Sequence, residues 1–168
     1  AAGFTGAGNT VPEQIERLRQ SQPARGQYAS FFRQWLRVER IPELTPSLVQ
    51  PALSLSYPDR AGTALPANTD LSKLRTDAFE ELLDLTDYHL FGVEQTKLGD
   101  LFTSDISFAR SADLAKIYGV APWEGRKADG SYDASKLVRF PAGERAGLFT
   151  RAAFAFSGNA TPNPIIRG

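Results

Sequence analysis

Apolar residues recur at spacings of three and four along several separate stretches of this chain, the mark of helices that bury one side. Pro12 at a first helical position, with Glu13 and Glu16 in the first turn, opens a short helix that turns Ile15 and Leu18 inward. Pro23 opens a second, in which Tyr28, Phe31, Phe32, Trp35, Leu36 and one of Val38 or Ile41 share a face. This is the strongest amphipathic pattern in the chain. Burying Phe31, Phe32, Trp35 and Leu36 would contribute about 1.5–3 kcal/mol apiece, which makes this helix an expected core element. Pro42, Pro46, Pro51, Pro58 and Pro66 then forbid a continuous helix and leave room for one helical turn at 46–53. Thr69 or Asp70 caps a third helix through Leu71, Leu74, Phe79, Leu82, Leu83, Leu85 and Tyr88, stopped or kinked at Gly92. A shorter piece follows at 97–102. Ser111 and Gly119 bound the next helix, around Leu114 to Tyr118.

Between Pro122 and Pro141 the helical period gives way to turn and strand signals. Asp129-Gly130 favours a tight turn, and 136–140 alternates as an edge strand does, so a small hairpin is expected there. A final helix over 144–156 would bury Leu148, Phe149, Ala152 and Phe156, and a polar, Pro-containing loop follows it. The expected fold is mainly α, about five helices around an aromatic core with a small β-hairpin and extended terminal arms. Its organisation reads as a flexible arm at 1–11, a helical domain at 12–156 and a C-terminal loop or arm at 157–168. The helical domain includes the Pro-rich connection 42–68 and the hairpin region 122–141.

Composition narrows the partners. The 168 residues are 42% hydrophobic, with eleven Phe, five Tyr and two Trp, enough for a packed interior in one domain. Nineteen basic residues balance nineteen acidic ones, so no net field attracts a nucleic acid or an anionic membrane. The sequence has no Cys, which excludes disulfides, thiolate metal sites, cysteine nucleophiles and covalent Cys-x-x-Cys-His haem attachment within it. Met is absent too, even at position 1, so removal of an initiator and a longer N-terminal region is expected. Ala1-Ala2-Gly3 would suit the residues after a signal cleavage site, and trimming between domains would suit them equally. No run approaches the ~18 apolar residues of a membrane helix.

Four groups of residues could carry chemistry. His89 is the sole histidine, preceded by Asp87 and Tyr88. A structural role is the ordinary one for a lone helix histidine; as a haem ligand it would have no Met partner, though five-coordinate haem needs none. Glu80, Asp84 and Asp87 recur at helical spacing and would line one face, able to hold a divalent cation or act as an acid–base pair, with a solvated face or ion pairs to Arg33, Arg37 and Arg40 on the second helix the commoner use. Asp129, Ser131 and Asp133 alternate like the front of a calcium loop. Ala134 and Phe140 stand where that motif needs its glycine and its bidentate glutamate, so a metal-free turn is favoured. Arg145, Arg151 and Arg167 are arginine forks that could bridge loops, with clamping of the 161–164 loop the simplest use. No Glu-x-x-His, Gly-x-Ser-x-Gly or Ser-x-x-Lys motif occurs. Gly3 to Gly8 lacks the ending of a phosphate loop.

Short motifs in order along the chain resemble a known family. Phe31-Phe32-Arg33-Gln34-Trp35-Leu36 is similar to its F-F-x-x-W-L, Thr103 to Phe108 to its L-L-T-A-D-Y-T-F, and Leu114-Ala115-Lys116-Ile117-Tyr118-Gly119 to its L-A-x-x-Y-G. The tail Gly143-Glu144-Arg145-Ala146-Gly147-Leu148-Phe149-Thr150-Arg151-Ala152-Ala153-Phe154, followed by Pro164-Ile165-Ile166-Arg167-Gly168, resembles R-x-G-L-L-T and P-V-K-R-G. The pattern is that of C-terminal domains of unknown function in the secreted planctomycete-type cytochrome c family. The family's lysine is missing from the last motif, as is the helix that follows it, and a truncated or processed piece is expected. The resemblance implies a secreted or periplasmic, non-catalytic structural or interaction domain, with Trp35, Arg145, Arg151 and Arg167 in that role. It implies no cofactor in this chain, haem in a parent protein or partner, and as partner the rest of a longer polypeptide or another subunit. Two other readings stand beside it: a fragment of an extracellular hydrolase using a carboxylate pair, and a small accessory subunit of a membrane-associated assembly held through its arms.

Overall fold

A computed structural model describes residues 10–36, 41–49, 65, 68–92 and 97–156. Six α-helices are present among them: α1 (Val11–Arg19), α2 (Gln22–Trp35), α3 (Leu71–Asp87), α4 (Asp100–Thr103), α5 (Ala112–Tyr118) and α6 (Ala152–Ala155). A helical turn at 46–49 lies in the Pro-rich connection, most of which falls outside the described residues. The fold is mainly α around an aromatic-rich core, as the periodicity implies.

Local chemistry sets the helix ends. The Thr10 N–H donates to Glu13 Oε2 at 2.8 Å, and Pro12 occupies the first turn of α1. Ser21 Oγ accepts the Ala24 N–H, Asp70 Oδ1 the Lys73 N–H and Ser111 Oγ the Leu114 N–H. At the far end of α5, Gly119 takes the left-handed conformation with φ 66°. α3 continues into a π-helical turn over Tyr88–Gly92, a widened turn that often accompanies functional sites.

α3 is the organising element. Its Leu74, Ala78, Leu82 and Leu85 are almost completely buried, and it touches α2, α5, α6 and the first strand. Leu114, Ile117 and Tyr118 of α5 join Leu148, Ala152 and Phe156 in the same core. A second focus is aromatic: Phe108 meets Trp123 edge-on at 4.8 Å and tilts against Tyr88 at 5.4 Å, while Trp123 stacks on Tyr132 at 5.9 Å.

Three details differ from the sequence reading. The small antiparallel pair exists, but it joins β1 (Ile106–Ser107) to β2 (Val138–Arg139), with Ile106 opposite Arg139. The Asp129-Gly130 turn does form, with Gly130 at φ 82° and Lys127 N–H donating to Ser131 O, yet no strand pair grows from it. Second, the helix expected over 144–156 is broken into a 3₁₀ turn (Leu148–Thr150) and α6, because Gly147 turns at φ 74° and Arg151 is extended. A Cβ on Gly147 would lie 1.9 Å from the Phe102 carbonyl oxygen, and Phe149 is turned out, 55% exposed. Third, most of the apolar face given to α1 and α2 is open. Ile15 and Leu18 of α1 are exposed, as are Tyr28, Phe31 and Trp35 of α2; of the expected faces only Phe32 and Ile41, the latter past the end of α2, are buried. α2 packs on α3 with Phe32 pressed inward and leaves its aromatic neighbours Phe31 and Trp35 outside. Of the arm placed at 1–11, only Thr10 and Val11 are described, as the start of α1. The tail 157–168, Arg167 included, lies outside the described residues.

Candidate functional site

The carboxylates on α3 do not form a free acid–base pair. Asp84 is 5% exposed and accepts from two guanidinium groups: Arg126 Nη2 at 2.8 Å and Arg110 Nη2 at 2.5 Å. Asp87 accepts from Arg126 Nη1 at 3.0 Å and Tyr132 Oη at 3.0 Å, with Arg25 Nη1 at 3.7 Å. Burial, then the charge on Asp87, pushes the Tyr132 hydroxyl well above its ordinary range, so it stays a donor. Glu80 is exposed, one turn away. The arginines are not those named from the sequence. Arg33 lies over the Phe79 ring at 5.0 Å, and Arg37 and Arg40 fall outside the described residues.

Beside this ion-pair cluster lies a groove of about 660 Å³ between the start of α2, the π turn and the loop at 126–132. Its lining includes Gln20, Arg25, Phe91, Arg126 and Ser131, and several of its polar groups are engaged by neighbouring side chains. Arg25 donates to Gln20 and covers Phe91 at 4.9 Å. Asp129 Oδ1 accepts the Ser131 N–H at 2.8 Å and the Ser131 hydroxyl at 2.6 Å, and Asp133 does the same with Ser135. Asp129, Ser131 and Asp133 are thus turn residues whose oxygens face their own backbone. Among the described residues no group of three or more His, Asp or Glu side chains is placed to hold a metal.

His89 sits in the π turn, edge-on to Tyr88 at 5.1 Å, with no hydrogen-bond partner for either ring nitrogen among the described residues. Desolvation lowers its pKa, so the ring is neutral at physiological pH.

Arg151 and Glu81 form a fully buried pair. Both side chains are 0% exposed, with Arg151 Nη1 donating to Glu81 Oε1 at 3.1 Å. Arg151 Nε donates to Gly147 O at 3.0 Å, Nη2 to Ser104 O at 3.1 Å, and the group lies 4.6 Å above the Phe140 ring. Tyr118 Oη donates to Glu81 Oε2 and accepts the Ala152 N–H at 2.8 Å. One network therefore ties α3, α5, α6, Ser104 and the Gly147 turn together. The Arg145 guanidinium lies 5.9 Å from the Tyr118 ring centre, next to the same network. Sequence reasoning singled out Arg151 but missed Glu81 and Tyr118. The signal was present: Leu74, Ala78 and Leu85 mark the buried stripe of α3, and Glu81 interrupts it at an inward position.

The remaining feature is apolar. Trp35 is 46% exposed and Phe31 56%, their rings stacked at 6.1 Å, with Tyr28 two turns before Trp35 and edge-on to Phe91 at 5.4 Å. Large rings so exposed on one helix form the kind of surface that contacts another molecule.

The chain belongs to a family of proteins of unknown function, PSD4 (DUF1592), whose model matches residues 6–120, more than half of its length. The matched segment holds α1 to α5, and it ends before the Arg145 to Phe154 motif. No curated protein matches the chain. No solved structure matches it.

Proposed function

We propose that this chain is a non-catalytic interaction domain of a secreted or periplasmic haem-associated redox protein, either built into that polypeptide or bound to it as a subunit. The observation that carries the reading is the aromatic face of α2, where Phe31 and Trp35 stand open on a helix already anchored by Phe32. Family membership supports it, and so does the state of the α3 carboxylates: with Asp84 and Asp87 each engaged by arginine, neither is available as a base toward a polymer substrate. Residues 12–156 would be the folded unit, and Trp35, Arg145 and Arg151 would serve contact and packing. Haem would belong to the partner, since a chain with no Cys cannot attach it through Cys-x-x-Cys-His.

The test is calorimetric titration of the chain with a soluble c-type cytochrome. Binding is expected, weakened about tenfold or more by Phe31→Ala or Trp35→Ala, the size of a typical aromatic anchor. Absence of binding, or binding indifferent to both substitutions, would overturn the reading.

A further inference from the structure

The π turn that follows α3 holds an anomaly. Both ring nitrogens of His89 are buried, and neither has a hydrogen-bond partner among the described residues. An imidazole always carries at least one N–H donor, and leaving it unmet inside a protein costs free energy that contact with water would return. The ring therefore favours any opening of the turn that lets water reach it.

Phe91, two residues on, is where the first part of the chain is fastened. Its ring is 9% exposed, with Arg19 of α1 at 5.7 Å and Arg25 of α2 at 4.9 Å from its centre and Tyr28 edge-on at 5.4 Å. Arg19 also donates to the Leu90 carbonyl oxygen. No residue of α1 is buried, so Arg19 is its grip on the turn. α2 has a second anchor in the core, Phe32.

We propose that Tyr88–Gly92 is an acid-released clasp: uptake of a proton by His89 opens the turn and frees α1 and the start of α2 from it, while Phe32 keeps the rest of α2 in place. A charged imidazole has two donors to satisfy, and among the described residues the closed turn offers an acceptor to neither. Desolvation is the main influence holding the ring neutral; Asp100 of α4 pulls the other way, and Arg151 reinforces the neutral form. Arg19 and Arg25 bring further positive charge to the turn, and Asp87, two positions back, is engaged by Arg126 and Tyr132. The closed turn thus holds a proton less tightly than the open one, where the ordinary value of 6.5 applies. Above that pH the ring is neutral in both states and favours neither. As pH falls from 6.5 towards the lower value of the closed turn, the open state gains, by up to about tenfold one unit below 6.5.

Hydrogen exchange of the chain at pH 7.5 and pH 5.5, each corrected for the intrinsic rate at that pH, reads the opening segment by segment. Protection over Tyr88–Gly92 and over α1 is expected to fall about three- to tenfold at the lower pH, with α5 unchanged. His89→Phe keeps a ring and takes up no proton, so its protection should be the same at both pH values. His89→Gln, polar and equally unable to titrate, should behave likewise and guards against a packing fault in the first variant. Parent protection indifferent to pH, the same fall in either folded variant, a fall at 88–92 that leaves α1 untouched, or an equal fall in α5 would each overturn the clasp. No partner is added, so these outcomes are separable from those of the cytochrome titration.

Discussion

Glu81 stands where the α3 stripe calls for leucine, and complete burial pushes its carboxyl above the ordinary value of 4.5 against the pull of Arg151, Tyr118 and the Phe108 N–H. A folded-state value above the unfolded one means that the folded protein holds the proton more tightly. Glu81 therefore contributes stability that is fully present below its unfolded value and is lost as pH rises through the folded one. Exposed acids such as Glu16, held at about 2 by Arg19, act in the opposite sense, so the sum over the whole protein hides the effect. Urea unfolding across pH 4 to 8 in the parent and in Glu81→Gln isolates it: the stability difference should shift in the variant's favour as pH rises. A difference that is flat, or of opposite slope, would contradict this account. Removing one partner alone is costly. Glu81→Leu should destabilise by about 3–5 kcal/mol because Arg151 is left buried and uncompensated, while adding Arg151→Met should recover part of that loss. Arg151 was legible as an arginine in a motif, but its partner lies 70 positions away, and no local pattern connects them.

At the scale of elements, helix existence followed from spacing and caps, and α3 and α5 form where Asp70, Ser111 and Gly119 end them. What spacing could not tell was which side of a helix meets the core. In α2 both Phe31 and Phe32 fit the periodic face, yet one is 56% exposed and the other 3%. Phe32→Ala should therefore cost about 3–5 kcal/mol in urea unfolding, as core Phe truncations do, whereas Phe31→Ala should change stability by less than about 1 kcal/mol. Equal losses would place both rings in the interior. The strand pair shows the same limit. The alternation at 136–140 announced a strand, but its partner at 106–107 is set by packing around Phe108 and Phe140 rather than by the nearest turn.

Across the whole molecule, charge neutrality, aromatic content and helical class were all readable from composition and periodicity. The candidate chemistry was not, because its outcome depended on pairing. Asp84 and Asp87 look like an acid–base pair in one dimension, and in three they are held by Arg110 and Arg126 from loops beyond α3. Asp129 and Asp133 alternate as the front of a calcium loop does, and each accepts from the serine two residues on, as the favoured turn reading expects. With Asp84 and Asp87 engaged by arginine and the aromatic side of α2 open, the proposed role as an interaction domain is a claim about the α2 surface. Hydrogen-exchange mass spectrometry of the chain with and without a soluble c-type cytochrome reads this most directly. Added protection is expected over the α2 segment Tyr28–Trp35, with the Asp84–Arg126 cluster unchanged. Protection confined to that cluster and the adjoining groove, with α2 exchanging as it does alone, would contradict the account.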